Sequence, residues 1–195
     1  MSLKCLALAC SPRKNGNTAI LARQALAAAE SAGCGTELLY LADYRYAPCL
    51  ACNGCFATGR CVLEDDAARI FEKILAADRL VLAAPVFFMG ICAQAKMFID
   101  RAQQFWAAKY LLKQEIIPDQ KTRPARRGIF LSCGGTTLPG LFDGTLQVVK
   151  IFFKMLTIDL LATLCYAGVD EAGSILKKKD ALAEVAETAR KLFTP

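Results

Sequence analysis

Four cysteines in one short stretch form the most specific chemical pattern in the chain. They are Cys49, Cys52, Cys55 and Cys61, with the spacing Cys-x2-Cys-x2-Cys-x5-Cys. Thiolates at this spacing can wrap one cuboidal iron–sulfur cluster, because each iron takes one thiolate. The bacterial ferredoxin pattern is related but places its fourth cysteine closer to the third and before a proline. The spacing therefore favours an iron–sulfur cluster on this loop.

Three other interpretations of these cysteines stay open. Zinc usually takes two separated Cys-x-x-Cys knuckles, whereas three cysteines here lie within seven residues. The pair Cys49 and Cys52 also suits a redox disulfide, and all four can be unliganded buried thiols. The cysteines that lack ligand spacing are predicted to pack as small apolar side chains: Cys5, Cys34, Cys92 and Cys165.

A second group of chemically useful residues follows the first apolar run, between Cys10 and Thr18. Its hydroxyl, amide and guanidinium groups can donate hydrogen bonds to an anion. Gly16 permits unusual backbone angles, and a helix opening here points its positive end at the same place. The residues expected to hold the anion are Ser11, Arg13, Asn15, Asn17 and Thr18. A plain turn with an Asn or Thr helix cap is the local alternative.

A phosphatase whose loop begins with a nucleophilic cysteine is excluded, because it needs an arginine six residues later. Six residues after Cys10 the chain has Gly16. Cys10 and Cys133, on two predicted ligand loops, are expected to be neighbours of a cofactor rather than nucleophiles.

The stretch Ser-Pro-Arg-x-x-Gly-Asn-Thr resembles the FMN-phosphate loop of the NADPH-dependent FMN reductase and flavodoxin-like families. Residues 84–101 resemble the flavin-flanking loop and following helix of the same families. The resemblance implies that residues 11–18 hold the FMN phosphate. It also implies that the isoalloxazine ring is lined by Pro85, Val86, Phe87, Phe88, Met89 and Gly90. A flat, partly apolar ring needs such walls, although core packing or a dimer contact would also explain the three large side chains.

Together with the cysteine motif, these loops resemble the iron–sulfur flavoproteins, over nearly the whole chain. The resemblance implies a [4Fe–4S] cluster and a homo-oligomer that shuttles electrons. The predicted fourth strand is followed by Cys133, Gly134 and Gly135, which would bring backbone close to the flavin ring.

Apolar runs and helical patterns alternate along the chain and predict the elements that position these loops. The predicted strands are Lys4–Ala9, Thr36–Tyr40, Arg79–Ala84, Gly128–Ser132 and Ala162–Tyr166. The predicted helices are Thr18–Ala32, Ala67–Ala76, Ala93–Lys109, Phe142–Leu156 and Lys177–Phe193. This alternation predicts an α/β fold: a flavodoxin-like, doubly wound, five-stranded parallel sheet of order 2-1-3-4-5 with helices on both faces. Loops 10–18, 85–92 and 132–140 should then meet at the carboxyl ends of the strands.

Residues 1–195 are predicted to form one domain with two departures from this pattern. The first is a cysteine-rich loop at 44–61. The second is an exposed excursion at 109–127, which is either a solvated linker or a lid or docking surface. Helix Phe142–Leu156 is apolar nearly all round, which predicts its burial against another subunit, with a homodimer as the simplest assembly.

Composition excludes several classes of function. The 195 residues include no histidine, which removes Ser-His-Asp and Cys-His catalysis and the usual general base. The net charge of +6 comes with no basic stripe interleaved with aromatics, so no nucleic-acid partner is expected. No apolar stretch approaches the roughly 18 residues of a membrane span. The sequence thus predicts a soluble, cytoplasmic protein with no membrane partner.

The leading hypothesis is an oxidoreductase that passes electrons between FMN and a [4Fe–4S] cluster. NAD(P)H is a possible co-substrate, and the partner is a redox protein or a small-molecule acceptor. No catalytic side chain is expected, because the flavin carries the chemistry. One alternative is an NAD(P)H-dependent FMN or quinone reductase without a cluster. The other is a non-enzymatic electron carrier or redox sensor.

Overall fold

The computed structural model of the protein describes residues 3–117 and 123–193. The strands in chain order are β1 Lys4–Ala9, β2 Gly35–Tyr40, β3 Arg79–Ala83, β4 Val86–Phe87, β5 Gly90–Ile91, β6 Arg127–Gly134 and β7 Asp159–Ala167. Five of them form one parallel sheet of order β2-β1-β3-β6-β7, and β4 with β5 forms a separate antiparallel hairpin. The predicted doubly wound, parallel order is therefore confirmed.

Helices cover both faces of this sheet. They are α1 Asn17–Ser31, α2 Cys55–Thr58, α3 Asp66–Ala76, α4 Ala93–Asp100, α5 Gln103–Trp106, α6 Asp143–Met155 and α7 Ala181–Lys191. The predicted long helix from Ala93 is interrupted: α4 and α5 are followed by a π-helical turn at Ala107–Leu111. The last helix begins at Ala181, after a 3-10 turn at Ser174–Lys177.

The three central strands, β1, β3 and β6, are buried on both faces, as crossover helices require of a parallel sheet. Leu6 and Leu8 of β1 face a core shared with α3, α4 and α6. The alternate residues Cys5 and Ala7 face a second core shared with α1 and α7. All five strands run in the same direction, so their carboxyl ends meet at one edge. A binding crevice is expected at that edge.

Helix α6 was predicted to be buried against a second subunit, but most of its large apolar side chains are buried within the same chain. Val149, Phe152 and Phe153 are buried in the chain's own core, and Asp143, Gln147, Lys150 and Lys154 of this helix face solvent. The helix is amphipathic despite its apolar run, because large side chains at adjacent positions point to different faces of a helix. Ile151 is the exception, at 58% exposed.

The stretch 109–127 is anchored at both described ends rather than wholly exposed. Lys109 donates to the carbonyl oxygens of Lys154 and Met155. Arg126 is buried and donates to three carbonyl oxygens, those of Ile74, Ala77 and Leu156. Burial lowers the pKa of Arg126 to about 10, with Arg123 adding to the effect. Residues 118–122 of the excursion lie outside the described part.

Within residues 3–117 and 123–193, no helix combines the length and the apolar character needed to cross a bilayer.

Candidate functional site

A crevice opens at the carboxyl edge of the sheet and holds about 510 Å³ of empty space, including its part open to solvent. The predicted cofactor residues that line it are Ser11, Arg13, Asn17, Thr18, Pro85, Val86, Phe87, Cys133, Gly134 and Gly135. The predicted residues that do not line it are Asn15, Phe88, Met89 and Gly90. The three loops expected from the sequence therefore meet here.

The amino-terminal end of α1 gives this crevice the features of an anion site. Its N-cap, Gly16, offers no side chain, and a Cβ there would lie 3.0 Å from the Arg13 carbonyl oxygen and 3.1 Å from Ser11 Oγ. The first N–H groups of a helix have no partner within the helix. Thr18 is 1% exposed, and its Oγ1 has no hydrogen-bond partner in the described structure. A buried hydroxyl without a partner is costly, so this atom suits a bound acceptor.

Asn17 has a different role from the one predicted for its side chain. Its Nδ2 donates to the Glu171 carbonyl oxygen at 2.8 Å, and its Oδ1 accepts from the Ile175 N–H at 3.2 Å. The amide therefore ties α1 to the loop after β7. Its backbone N–H, in the first turn of α1, is the group left to face an anion.

The loop after β7 was missed in the sequence, although it lines the crevice. Val169, Asp170 and Ala172 all face it. The signal was present, since this loop also follows the carboxyl end of a parallel strand. What the sequence did not reveal is that Asn17 holds the loop over the start of α1.

The β4–β5 hairpin carries the predicted flavin wall on strained backbone. Phe88 and Met89 form its two-residue turn, with φ of 47° and 62°. Phe87 is half exposed and Phe88 fully exposed, so core packing does not explain these side chains. A flavin contact or a subunit contact remains as their explanation. Non-glycine residues in this region cost roughly 1–3 kcal/mol each, and such strain is common at binding sites.

The two cysteines beside the crevice are poor nucleophiles. Burial, with a smaller contribution from Cys92, raises the pKa of Cys10 well above its ordinary value. Burial, with a smaller contribution from Cys165, raises the pKa of Cys133 to about 12. Since the thiolate is the reactive form, both side chains stay protonated and unreactive near neutral pH.

The cysteine loop, residues 44–61, follows β2 at the same edge of the sheet. Its four motif cysteines are free; Cys52 is exposed and the other three are partly buried. The pKa of Cys55 is raised, first by burial and then by Cys61, Cys49 and Cys52. The other three motif thiols therefore lie close enough to Cys55 to affect its titration. In the described ranges, no group of three or more Cys, Asp or Glu side chains is arranged to hold a metal ion.

Helix α4 supports both the crevice and the cysteine loop. It begins two residues after the hairpin that carries Phe87. The Tyr46 hydroxyl, from the cysteine loop, donates to the Gln94 carbonyl oxygen at 2.9 Å. Tyr46 also packs against the core cluster that contains Cys10 and Cys92, from two of the crevice loops. The two predicted redox sites thus share one support.

A doubly wound parallel sheet with a glycine-capped helix opening onto its carboxyl edge defines a flavodoxin-like protein. The family model described as NADPH-dependent FMN reductase matches residues 3–141. The chain belongs to the NADPH-dependent FMN reductase family, a family of FMN-dependent oxidoreductases.

Two relatives are named for a cluster as well as a flavin. An iron-sulfur flavoprotein of Methanocaldococcus jannaschii is 42% identical over 101 residues, 52% of this chain and 52% of that protein. This chain thus spans about half the length of that relative. An iron-sulfur flavoprotein of Methanosarcina thermophila is 28% identical over 190 residues, 97% of this chain and 93% of that protein.

Among solved structures, an NAD(P)H:quinone oxidoreductase from Methanothermobacter marburgensis is similar with a TM-score of 0.75. The match covers 100% of this chain and 98% of that one, at 15% sequence identity. Identity this low bears on the fold alone, and it agrees with the flavodoxin-like order of the sheet.

Proposed function

We propose that the protein is an NAD(P)H-dependent oxidoreductase that binds FMN in the crevice. When bound, FMN accepts two electrons as hydride and releases them singly or together. The observation that carries the proposal is the buried, unpartnered Thr18 Oγ1 in the first turn of α1. Membership of the FMN reductase family supports the choice of ligand.

The chain's own residues act by binding and orientation. Ser11, Thr18 and the first N–H groups of α1 surround the proposed phosphate position, and Arg13 adds a positive charge at the crevice wall. Phe87 offers an apolar surface for the ring, and Gly134 and Gly135 let backbone approach it from the other side. No residue is assigned as an acid or base, since the chain has no histidine and Cys133 stays protonated.

We further propose that the cysteine loop holds a [4Fe–4S] cluster and passes electrons to a redox protein or a small-molecule acceptor. Support comes from the four cysteines within thirteen residues, which supply the all-sulfur donor set that iron–sulfur clusters use. The names of the two archaeal relatives point the same way. The second candidate is an FMN or quinone reductase without a cluster. It is favoured by the lack of a metal-holding arrangement in the described residues.

One preparation distinguishes these candidates. Protein purified without oxygen is assayed for iron, acid-labile sulfide and FMN on the same sample, together with NAD(P)H oxidation. We expect about four irons, about four sulfides and one FMN per chain. Cys61→Ser should lower iron and sulfide without lowering FMN, whereas Cys34→Ser, which lies outside the motif, should change neither. Stoichiometric FMN with active NAD(P)H oxidation and no iron would select the reductase without a cluster. Absence of FMN binding would overturn both.

We infer that the chain assembles as a homo-oligomer, most simply a dimer. Large apolar side chains stay exposed on two elements next to each other in the chain: Ile151 of α6 at 58% and Leu161 of β7 at 45%. Strand β7 is also an edge strand of the sheet. A second copy of the chain is the proposed partner of this surface.

A further inference from the structure

One buried arginine touches both ends of the cysteine loop. Arg101, which directly follows α4, is 2% exposed. Its Nη1 donates to the Ala47 carbonyl oxygen at 2.9 Å, two residues before the first motif cysteine. Its Nη2 donates to the Leu63 carbonyl oxygen at 3.4 Å, two residues after the last one. The guanidinium thus connects the segment that precedes the cysteine motif to the segment that follows it.

The same side chain is paired with one carboxylate and lines the same cavity as Cys61. Its Nη1 bonds Asp65 Oδ2 at 2.7 Å. Its Nε has no partner in the described structure. A buried charge needs several partners to be stable, and this one finds most of them on the cysteine loop and its flanks.

We propose that Arg101 is a positioning residue for the cysteine loop, fixing the distance between its two ends and placing a positive charge beside Cys61. This inference rests on the proposed cluster and deepens it. The loop has little regular structure of its own beyond the single turn of α2, and Ala51 and Asn53 have positive φ. Without a fixed span, the thiols of such a loop would sample many separations. A nearby positive charge also favours the more negative, reduced state of an anionic centre, which raises its reduction potential.

The matched control for this arginine lies at the opposite edge of the sheet. Arg126 is also buried and donates to three carbonyl oxygens, but it lies at the end of the 109–127 stretch and bonds no residue of the cysteine loop in the described structure. Arg101→Met and Arg126→Met therefore each remove one buried guanidinium that bonds backbone carbonyl oxygens. Both proteins, with the wild type, are prepared without oxygen and assayed for iron, sulfide, FMN and reduction potential.

We expect Arg101→Met to lose at least half of its iron and sulfide while keeping its FMN. The cluster that remains should have a lower reduction potential than in the wild type. Arg126→Met should keep the wild-type iron content and potential per folded chain. Arg101→Lys, which keeps the charge but bonds fewer carbonyls, should keep the potential and lose part of the iron. Iron content and potential unchanged in Arg101→Met and Arg101→Lys would overturn the proposal. If Arg101→Met does not fold, Arg101→Lys decides alone: unchanged iron content in that variant overturns it.

A failure of the cluster itself would give a different result. If the wild type takes up no iron and sulfide, the cluster proposal is wrong. The positioning of the cysteine loop by Arg101 is then tested on the metal-free protein. In that protein, backbone amides of residues 47–63 should exchange with deuterium at least tenfold faster in Arg101→Met than in the wild type. Residues 123–127 should be unaffected. Equal exchange at 47–63 would show that Arg101 does not hold the loop.

Discussion

At the scale of single residues, the site is defined by which polar groups already have partners. Asn17 lies at the start of α1, yet its side chain is satisfied by the loop after β7. Thr18, one residue later, is buried with a hydroxyl that has no partner in the described structure. The two residues are equally plausible phosphate ligands by type alone. Their hydrogen bonds assign them to different tasks: Asn17 to architecture and Thr18 to the ligand.

Thr18→Val tests this assignment by removing the hydroxyl and keeping the shape. The free energy of unfolding of FMN-free protein should stay the same or rise by about 1 kcal/mol, since no hydrogen bond is lost. The dissociation constant of FMN should rise about 10- to 100-fold, because a hydrogen bond to a charged group contributes roughly 1.5–3 kcal/mol. Urea unfolding and fluorescence titration measure the two quantities.

Thr145→Val is the control, since Thr145 is also fully buried with an unpartnered Oγ1 but does not line the crevice. Its FMN affinity should equal that of the wild type. The assignment of Thr18 fails if both variants change FMN affinity by the same factor, or if neither does.

Asp65 makes the stability of the protein depend on pH. Burial tends to raise its pKa, but hydrogen bonds from Arg101, Ala47 and Ala67 lower the pKa below its ordinary value of 3.8. A carboxyl whose pKa is lower in the folded state stabilises the fold above its unfolded pKa. That contribution is lost as the pH falls through the folded value.

Asp65→Asn should therefore destabilise the protein at pH 7, by about 3 kcal/mol, because it leaves buried Arg101 without its counter-charge. The difference from the wild type should shrink below about pH 4, where the carboxyl of the unfolded wild-type chain begins to take up a proton. Urea unfolding at pH 7 and pH 3 measures it. Asp43→Asn breaks only an exposed pair with Lys14 and should cost less than about 1 kcal/mol at pH 7. A constant difference between Asp65→Asn and the wild type at both pH values would contradict this explanation.

At the scale of elements, the turn of the β4–β5 hairpin carries two large side chains on backbone angles that destabilise it. A two-residue turn with both φ values positive favours Asn-Gly, yet this hairpin has Phe88 and Met89 there. Glycine at the second position would relieve strain of roughly 1 kcal/mol. The large side chains are best explained by a contact that the free chain does not itself make.

Met89→Gly should raise the free energy of unfolding of the FMN-free protein by up to about 1 kcal/mol. It should also weaken FMN or NAD(P)H binding about tenfold, since Met89 is one of the residues expected to contact the bound ring. Thermal unfolding and steady-state kinetics measure the two effects. Lys113→Gly relieves a similar positive φ far from the hairpin and should change stability without changing binding. Tighter or equal binding of FMN or NAD(P)H by Met89→Gly would show that the hairpin turn does not contribute to the binding site.

At the scale of the whole molecule, the fold limits which surfaces could form a contact with a second subunit. Helix α6 buries most of its large apolar side chains in the core of the same chain. The proposal of a second subunit therefore rests on the exposed side chains of Ile151 and Leu161. Leu161 lies at an irregularity between β6 and β7, where Gly128 pairs with Leu160 and Ile129 with Ala162. The irregularity leaves Leu161 without a paired residue on β6.

Light scattering at micromolar concentration should give twice the mass of one chain. The double variant Ile151→Glu with Leu161→Glu should give the mass of one chain, because a buried, unpaired carboxylate is costly. Leu176→Glu, in the segment before α7, changes an equally exposed residue on another element and should leave the dimer intact. A wild-type protein that is mostly monomeric would contradict the proposed assembly.

Local information in the sequence determined the order of strands and helices, the glycine-capped loop after β1 and the cysteine spacing. These features depend on residues close together in the chain: alternation along a strand, a backbone angle, or thiols three residues apart. The parallel order followed because short right-handed crossovers leave few alternatives. The interruption of the predicted helix from Ala93 was not evident from its apolar pattern.

Only the tertiary structure decided which polar groups are satisfied and which remain for a ligand. Asn17 and Glu171 are 154 residues apart in the chain, and Arg101 and Ala47 are 54 apart, yet each pair shares a hydrogen bond. Local periodicity carries no information on such pairs, because they arise from packing of distant segments at one edge of the sheet. The same holds for the face of α6 that is buried, since its burial depends on the neighbours that the fold supplies.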